Sequence, residues 1–301
     1  MATVSTLICT RNRPSAALRA AQSLLQEQRA PLELIVIDQS DGDETGRLLK
    51  SLDDHRLVYV HTRSRGKGYA LNEALQLARG EILVCTDDDC IAPPGWPGAM
   101  GRALEQNPKA AIAFCKVVGV EHDHALGYVP EFLPTHDRTL TRIRDVLKGH
   151  GIGAGMALRR QVMVDLGGFD EMIGPGAPFP SGDDWDVAHR VLLLGFEIFV
   201  VSGLTILHDG FRSFSEGREH TRRDWLAIGG VCAKPVRAGY PSALVVPLWE
   251  FFRNAVWPAI HMTVRSLRPS GFTRISAFVE GFSKGLSTPV DGKRLLFKRP
   301  G

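Results

Sequence analysis

Glu81-Ile82-Leu83-Val84-Cys85-Thr86-Asp87-Asp88-Asp89 is an apolar run that ends in three adjacent carboxylates. Like charges side by side repel, and none can be buried unpaired without a large cost. At the carboxyl end of a strand they make a site for a hard divalent cation. Mg2+ or Mn2+ prefers oxygen ligands and keeps coordination positions open for phosphate oxygens. The stretch therefore predicts a metal that holds a phosphorylated substrate. A solvated acidic turn has the same local sequence, so the neighbouring chain decides between the two.

Upstream, short apolar runs alternate with amphipathic ones. Val4–Cys9 is β-rich and ends at Thr10-Arg11-Asn12-Arg13-Pro14, where proline can open a helix over 15–28. Leu32–Ile37 is a second strand, stopped by Asp38-Gln39-Ser40-Asp41-Gly42, and residues 43–52 suit a helix. Arg56–His61 is a third strand, and Gly68–Ala78 places Leu71, Ala74, Leu75 and Ala78 on one helical face. With 81–86 as the fourth strand, this alternation predicts a doubly wound, mostly parallel α/β sheet. Such sheets bind ligands at the carboxyl ends of their strands, where Arg11, Asp38 and Asp87–Asp89 fall.

Downstream the character changes. Ala111–Val118 reads as a strand, and residues 121–147 as a polar loop or short helices over the site. Gly149–Leu158 is glycine-rich and runs into a strand, without the Gly-Lys-Ser/Thr ending of a phosphate loop. Its glycines suit close approach of backbone to a ligand. Gly182-Asp183-Asp184-Trp185-Asp186 opens a helix to Leu194, with Gly195 as its stop. Phe196–Val201 and Ile206–His208 read as two further strands.

The 301 residues suffice for one large domain or a domain with an appendage. The net charge of +3 hides a split. Residues 1–210 carry twenty-one Lys/Arg against twenty-seven Asp/Glu, and residues 211–301 carry fifteen against six. The tail thus suits an anionic surface, and Leu244–Ile260, rich in Trp and Phe, suits an interfacial segment. Packing of that segment on the body is the competing reading. Nucleic acid is disfavoured, because no recognised binding motif accompanies the charge. Gly281 and Gly285 form a GxxxG, a pattern of little weight outside a lipid-spanning helix. No apolar run is long enough for an ordinary transmembrane helix, and no signal peptide is read. Five cysteines, an odd number without zinc-ligand spacing, imply buried thiols in a reducing compartment. A cytoplasmic protein is expected, peripheral on the cytoplasmic face of a membrane where the tail meets lipid rather than the body.

The order of motifs resembles family 2 inverting glycosyltransferases of the GT-A fold. The likeness covers about residues 3–210 and rests on four landmarks. They are Ile8–Arg13; Val36-Ile37-Asp38-Gln39-Ser40; Thr86–Asp89, which looks like the DxD motif; and Gly167-Gly168-Phe169-Asp170-Glu171 followed by Asp183-Asp184-Trp185-Asp186 and Arg190. The resemblance implies a GT-A catalytic domain over 1–210. Its nucleotide-sugar half would be 1–118 and its acceptor half 119–210, with a basic, mostly helical extension over 211–301. Arg222-Arg223-Asp224-Trp225 only faintly resembles the QxxRW motif of processive synthases.

By the same resemblance, Asp89 is the direct ligand of Mg2+ or Mn2+ and His208 completes the metal site. Asp87 touches ribose or the metal through water, and Asp88 supports them. Thr10 and Arg11 frame the nucleotide base, and Asp38 accepts from it. Arg65 and Lys67, just before a helix, are candidates for base or diphosphate contact. Asp184 is the general base and Asp183 the alternative, while Asp186 fixes the helix start or an arginine. The implied reaction moves a sugar from a nucleoside-diphosphate sugar, UDP favoured, to an acceptor hydroxyl on a glycan, lipid-linked or small molecule. Cell-surface polysaccharide or glycoconjugate assembly is the implied setting. The alternatives are a sugar-phosphate nucleotidyltransferase, which normally has a glycine-rich loop that Thr10–Pro14 lacks, and a non-catalytic sugar-nucleotide or glycan-binding module.

Overall fold

The structure, a computed structural model, describes residues 2–26, 32–267 and 271–299. Its first half follows the apolar periodicity. Strand β1 (Val4–Thr10) leads to helix α1 (Pro14–Leu25), β2 (Leu32–Asp38), α2 (Glu44–Lys50), β3 (Leu57–His61), α3 (Lys67–Leu77) and β4 (Ile82–Asp87). Positions 27 and 28 of the expected first helix lie outside the described residues. The four strands are parallel in the order β3-β2-β1-β4. The register sets Thr10 beside Asp38 and Cys9 beside Asp87, so the strand ends form one rim.

Both sheet faces are covered. Leu7, Ile35, Leu83 and Cys85 pack into one core layer, and Ile8, Leu34, Val36 and Val84 into the other. That two-sided burial explains why these strands read as unbroken apolar runs rather than alternating ones.

The second half continues with β5 (Cys90–Ile91), α4 (Trp96–Glu105), β6 (Ala110–Gly119), β7 (Gly127–Tyr128), β8 (Arg138–Leu140), β9 (Met156–Arg159), α5 (Arg160–Asp165), α6 (Asp183–Leu193), β10 (Glu197–His208) and β11 (Arg212–Ser213). The sheet runs on as β4-β9-β6-β10-β5, with β8 also on β10. Strand β9 is antiparallel to both β4 and β6. The two strands expected over 196–208 are one strand, β10, interrupted by a register shift between Val201 and Thr205. The bulge moves the chain sideways without ending the ladder. The polar segment 121–147 is less irregular than expected: it includes β7, β8 and a 3-10 turn at Ile143–Lys148.

The tail is helical: α7 (Gly217–Arg237), α8 (Val245–Trp249), a π-helical stretch Glu250–Val256, α9 (Trp257–Ser266) and α10 (Phe272–Ser287). A small hairpin, β12 (Val290–Asp291) and β13 (Leu296–Phe297), follows. Cys232, Val246 and Phe278 join the main core, so the tail packs on the sheet body. The GxxxG pair explains how. A Cβ at Gly285 would stand 2.7 Å from the Cβ of Ala233, and one at Gly281 would overlap the Leu226 carbonyl. The pattern brings α10 close to α7 inside a globular body rather than inside lipid.

Candidate active site

A cleft of about 570 Å3 opens at the carboxyl ends of the strands. Thr10, Arg11, Lys67, Asp87–Asp89 and His208 line it on the strand-end side, and Asp183, Asp184 and Trp185 from the first turn of α6. Carboxylates far apart in sequence meet here because strand ends and the first turn of α6 share one rim.

Lys67 joins the two sides. Its Nζ donates to Asp87 Oδ1 at 2.7 Å and stands 3.2 Å from Asp183 Oδ2. Burial alone would lower the Lys67 pKa, but the charges of Asp183 and Asp87 outweigh it and raise it well above the ordinary value. The ammonium therefore stays charged between the acidic motifs.

Asp88 turns inward. The Thr10 hydroxyl donates to its Oδ2 and Arg13 Nη1 to its Oδ1, both at 2.6 Å. Burial still pushes Asp88 up to about 6. Arg13 also reaches Asp89 Oδ2 at 2.9 Å. Burial would raise Asp89, but the neighbouring His208 and Arg13 prevail and hold it well below the usual carboxylate range.

Asp89 and His208 fit a divalent cation. Asp89 Oδ1 is buried without a hydrogen-bond partner, and His208 Nε2 stands 3.4 Å from it. His208 Nδ1 lies 2.9 Å from the Pro130 carbonyl, which assigns the proton to Nδ1 and leaves Nε2 as a ligand nitrogen. The Cys90 sulfur is near both. Burial pushes that thiol well above its ordinary value, so it remains a protonated, poor ligand. Asp87 lies outside this trio, its carboxylate turned to Lys67.

Gly210 makes room for the His208 ring, which a Cβ there would overlap. Gly210→Ala is expected to swing the ring aside and weaken Mn2+ binding by about 10–100-fold, the range for disturbed metal-supporting groups. Calorimetric titration with Mn2+ measures this. An unchanged Kd would separate His208 from the ion.

Asp184 is held from both sides. Its Oδ2 accepts the Gly153 N–H and its Oδ1 the Trp185 N–H, each at 2.8 Å. Burial first, and then the charge of Asp183, push Asp184 up to about 6. A carboxylate poised there exchanges protons near neutral pH. Gly182, at φ +82°, turns the chain into α6 and presents the pair to the cleft.

Behind this turn is a buried charge cluster. Lys234 of α7 donates to Asp170 Oδ2 at 2.7 Å and pairs with Asp186. The Phe297 N–H donates to the same Asp170 oxygen at 2.8 Å. Arg190 lies 3.7 Å from Asp186 and donates to the Gly168 carbonyl at 2.7 Å. Asp186 thus meets an arginine, one of the two roles expected for it, and Lys234 as well.

Two sequence-derived candidates do not line the cleft. Asp38 is fully buried, its oxygens accepting from Ser40 N–H and Tyr59 O–H at 2.9 Å. Gln39 lines the cleft instead. Arg65 donates to the Gln39 carbonyl at 2.6 Å and to Asp41 Oδ1 at 2.5 Å, tying down the turn after β2. Sequence reasoning gave no cleft role to Arg13, Gln39, Arg212, Arg223 or Asp224, all of which line it.

His150 and His189 lie behind Trp185, with ring centroids 5.1 and 5.6 Å from it. Both nitrogens of His150 are buried without partners. Burial, with the Arg138 charge, pushes His150 down to about 4. The unfolded chain therefore binds more protons between its ordinary value and about 4. Stability should fall as pH drops through that window, by about 3 kcal/mol at its lower end. His150→Leu should flatten this acid limb in pH-resolved urea melts. An identical slope would exclude His150 as its source.

The family model described as Glycosyl transferase family 2 matches residues 5–167. The glucosyl-dolichyl phosphate glucuronosyltransferase of Haloferax volcanii is 26% identical over 184 residues, 57% of this chain and 57% of that protein. The succinoglycan biosynthesis protein ExoO of Rhizobium meliloti is 28% identical over 120 residues, 39% of this chain and 34% of that protein. The chain thus matches between a third and somewhat over half the length of these relatives. The mannosyltransferase PcManGT from Pyrobaculum calidifontis, solved in complex with GDP-Man and Mn2+, has a TM-score of 0.59 at 17% identity, covering 95% of this chain and 87% of that one. TarS 1–349 of S. aureus, in complex with UDP-GlcNAc, has a TM-score of 0.54 at 15% identity, covering 75% and 66%. These two likenesses show a shared fold.

Proposed function

Because this chain belongs to glycosyl transferase family 2, we propose that it moves a sugar from a nucleoside diphosphate to an acceptor hydroxyl with inversion. The observation that carries the reading is the meeting, in one cleft, of the Asp89–His208 pair with the backbone-held Asp184. Asp89 and His208 would hold Mg2+ or Mn2+, which when bound stabilises charge on the diphosphate as a Lewis acid. Thr10, Arg11 and Gln39 frame the nucleotide end. Lys67 supplies a fixed positive charge between the two sides. Asp184 takes the acceptor hydroxyl proton as that oxygen attacks the anomeric carbon. The bond to the diphosphate oxygen breaks, its electron pair leaves with the diphosphate, and a single displacement inverts the centre. Asp183 orients the acceptor through its place beside Lys67.

The acceptor is a hydroxyl of a growing glycan or lipid-linked sugar in cell-surface polysaccharide or glycoconjugate assembly. The Haloferax relative, a glucosyl-dolichyl phosphate glucuronosyltransferase, and the Rhizobium succinoglycan biosynthesis protein support that setting. A reducing, cytoplasmic compartment is supported by the cysteines, all five of which are free thiols. UDP is the first nucleotide to test, with GDP close behind given the mannosyltransferase likeness.

Melting curves with UDP, GDP, dTDP and CDP, each with and without Mn2+, test the reading, because a ligand of the folded state raises Tm. One diphosphate should shift Tm only with Mn2+, and Asp89→Ala should abolish the shift. No shift with any nucleotide would remove the donor assignment.

A further inference from the structure

We propose that the outer face of residues 245–267 docks the protein onto an anionic lipid surface. Val246, Pro247, Ala255 and Ala259 turn inward from this helical path. Leu248, Trp249, Phe252, Trp257, Ile260 and Val264 turn outward, with Phe252 58% and Trp257 60% exposed. The π-helical stretch Glu250–Val256 adds a residue to one turn, which keeps Phe252 and Trp257 on the same side. Val245, Leu248, Trp249, Phe252, Arg253 and Trp257 together line one shallow apolar groove. An exposed aromatic and aliphatic surface of this extent marks an interaction site.

Charge selects the occupant. Residues 251–279 contain four arginines and no Asp or Glu. Arg253 and Arg265 are exposed beside the apolar face. The carboxyl just before this stretch, Glu250, is buried and accepts from Asn254 Nδ2 at 2.9 Å. A second copy of the chain seated by two-fold symmetry would set arginines against arginines with no carboxylate between them. Anionic headgroups neutralise the arginines while the rings enter the acyl boundary, the arrangement of an interfacial helix. No helix among the described residues is long and apolar enough to cross a membrane, so contact is along the surface.

The face adjoins the cleft through α7. Pro258, Ala259 and Met262 share a crevice with Arg218 and Thr221 of that helix. Its next turns carry Arg223, Asp224 and Ile228 to the cleft wall. A docked bilayer therefore lies near the part of the cleft that α7 lines.

The test uses the full chain with phosphatidylcholine vesicles, with and without phosphatidylglycerol. We expect co-sedimentation and a blue-shifted tryptophan emission only with phosphatidylglycerol, weakened by salt. Trp249→Ser, Phe252→Ser and Trp257→Ser combined should lower the partition coefficient by more than ~100-fold, since the apolar area of three rings no longer leaves water. Arg253→Gln with Arg265→Gln should lower it by about tenfold or more. Far-UV circular dichroism and Tm confirm that the variants fold. Three outcomes overturn the proposal: no vesicle binding at low salt, binding untouched by the aromatic variant, or a solution dimer that the aromatic variant dissolves. Binding is read without donor or acceptor, so its failure leaves the glycosyl-transfer reading standing.

Discussion

Asp184→Asn should lower turnover by about 10²–10⁴-fold, the usual worth of a positioned general base. Donor binding, read as the nucleotide-dependent Tm shift, should survive, because Asp89 and His208 are untouched. The amide nitrogen will oppose one of the two backbone N–H donors that Asp184 now accepts. That mismatch costs about 1–3 kcal/mol of stability, so Tm must be measured alongside activity. The wild-type pH profile carries the same assignment. With Asp184 pushed up to about 6, kcat/KM should fall as pH drops through that value, since only the ionised carboxylate accepts the proton. Asp183→Asn is the discriminating companion. Lys67 loses one carboxylate partner but Asp184 keeps both N–H bonds, so the loss should be milder. If Asp183→Asn is the more damaging change, the base is Asp183.

Lys234→Met should destabilise the fold by about 3–5 kcal/mol, the cost of stranding buried charge. Asp170 and Asp186 are each nearly inaccessible, and Lys234 is the ammonium between them. Arg190, 3.7 Å from Asp186, also donates to backbone carbonyls and is a weak substitute. Urea denaturation gives the size of the loss. Adding Asp186→Asn should recover part of it, because the two positions are directly coupled. A change below about 1 kcal/mol for the single variant would show that the carboxylates find relief elsewhere. The variant also joins tail to chemistry, since Asp186 lies two residues from Asp184 in the same helical turn.

What the sequence disclosed followed from local periodicity. The first four strands, their helices and the triple carboxylate at the end of β4 were readable because each depends on its own neighbourhood. Orientation was not. Asp38 ends its strand as a rim residue would, yet Tyr59 on the next strand takes its carboxylate inward. That choice depends on register across β2 and β3, which no local pattern records. Strand β9 reads as a strand, but its reversed direction follows from its neighbours β4 and β6. Within the site, the carboxylates stood out because clustered like charges need an explanation. Their counter-ions did not. Arg13 reaches Asp88 and Asp89 across 75 and 76 residues, and Lys234 reaches Asp170 across 64. Single basic residues at such separations look like ordinary surface charge. Gly281 and Gly285 gave a real signal, but its partner on α7 is visible only in three dimensions.

The reversed strand β9 has a mechanical corollary. It stitches β4, which carries Asp87, to β6, which in turn pairs with β10 and so with His208. The strands that carry Asp87 and His208 therefore belong to a single continuous ladder of backbone bonds, and Asp184 of α6 is tied to it by the Gly153 N–H just ahead of β9. Closing over a substrate falls to side chains such as Arg13 and to the loops at the rim. In the proposed reaction the span between metal pair and base would rest on that ladder and on the Gly153–Asp184 bond. Exchange of rim loops can retune which sugar and which acceptor it accepts while leaving that span intact.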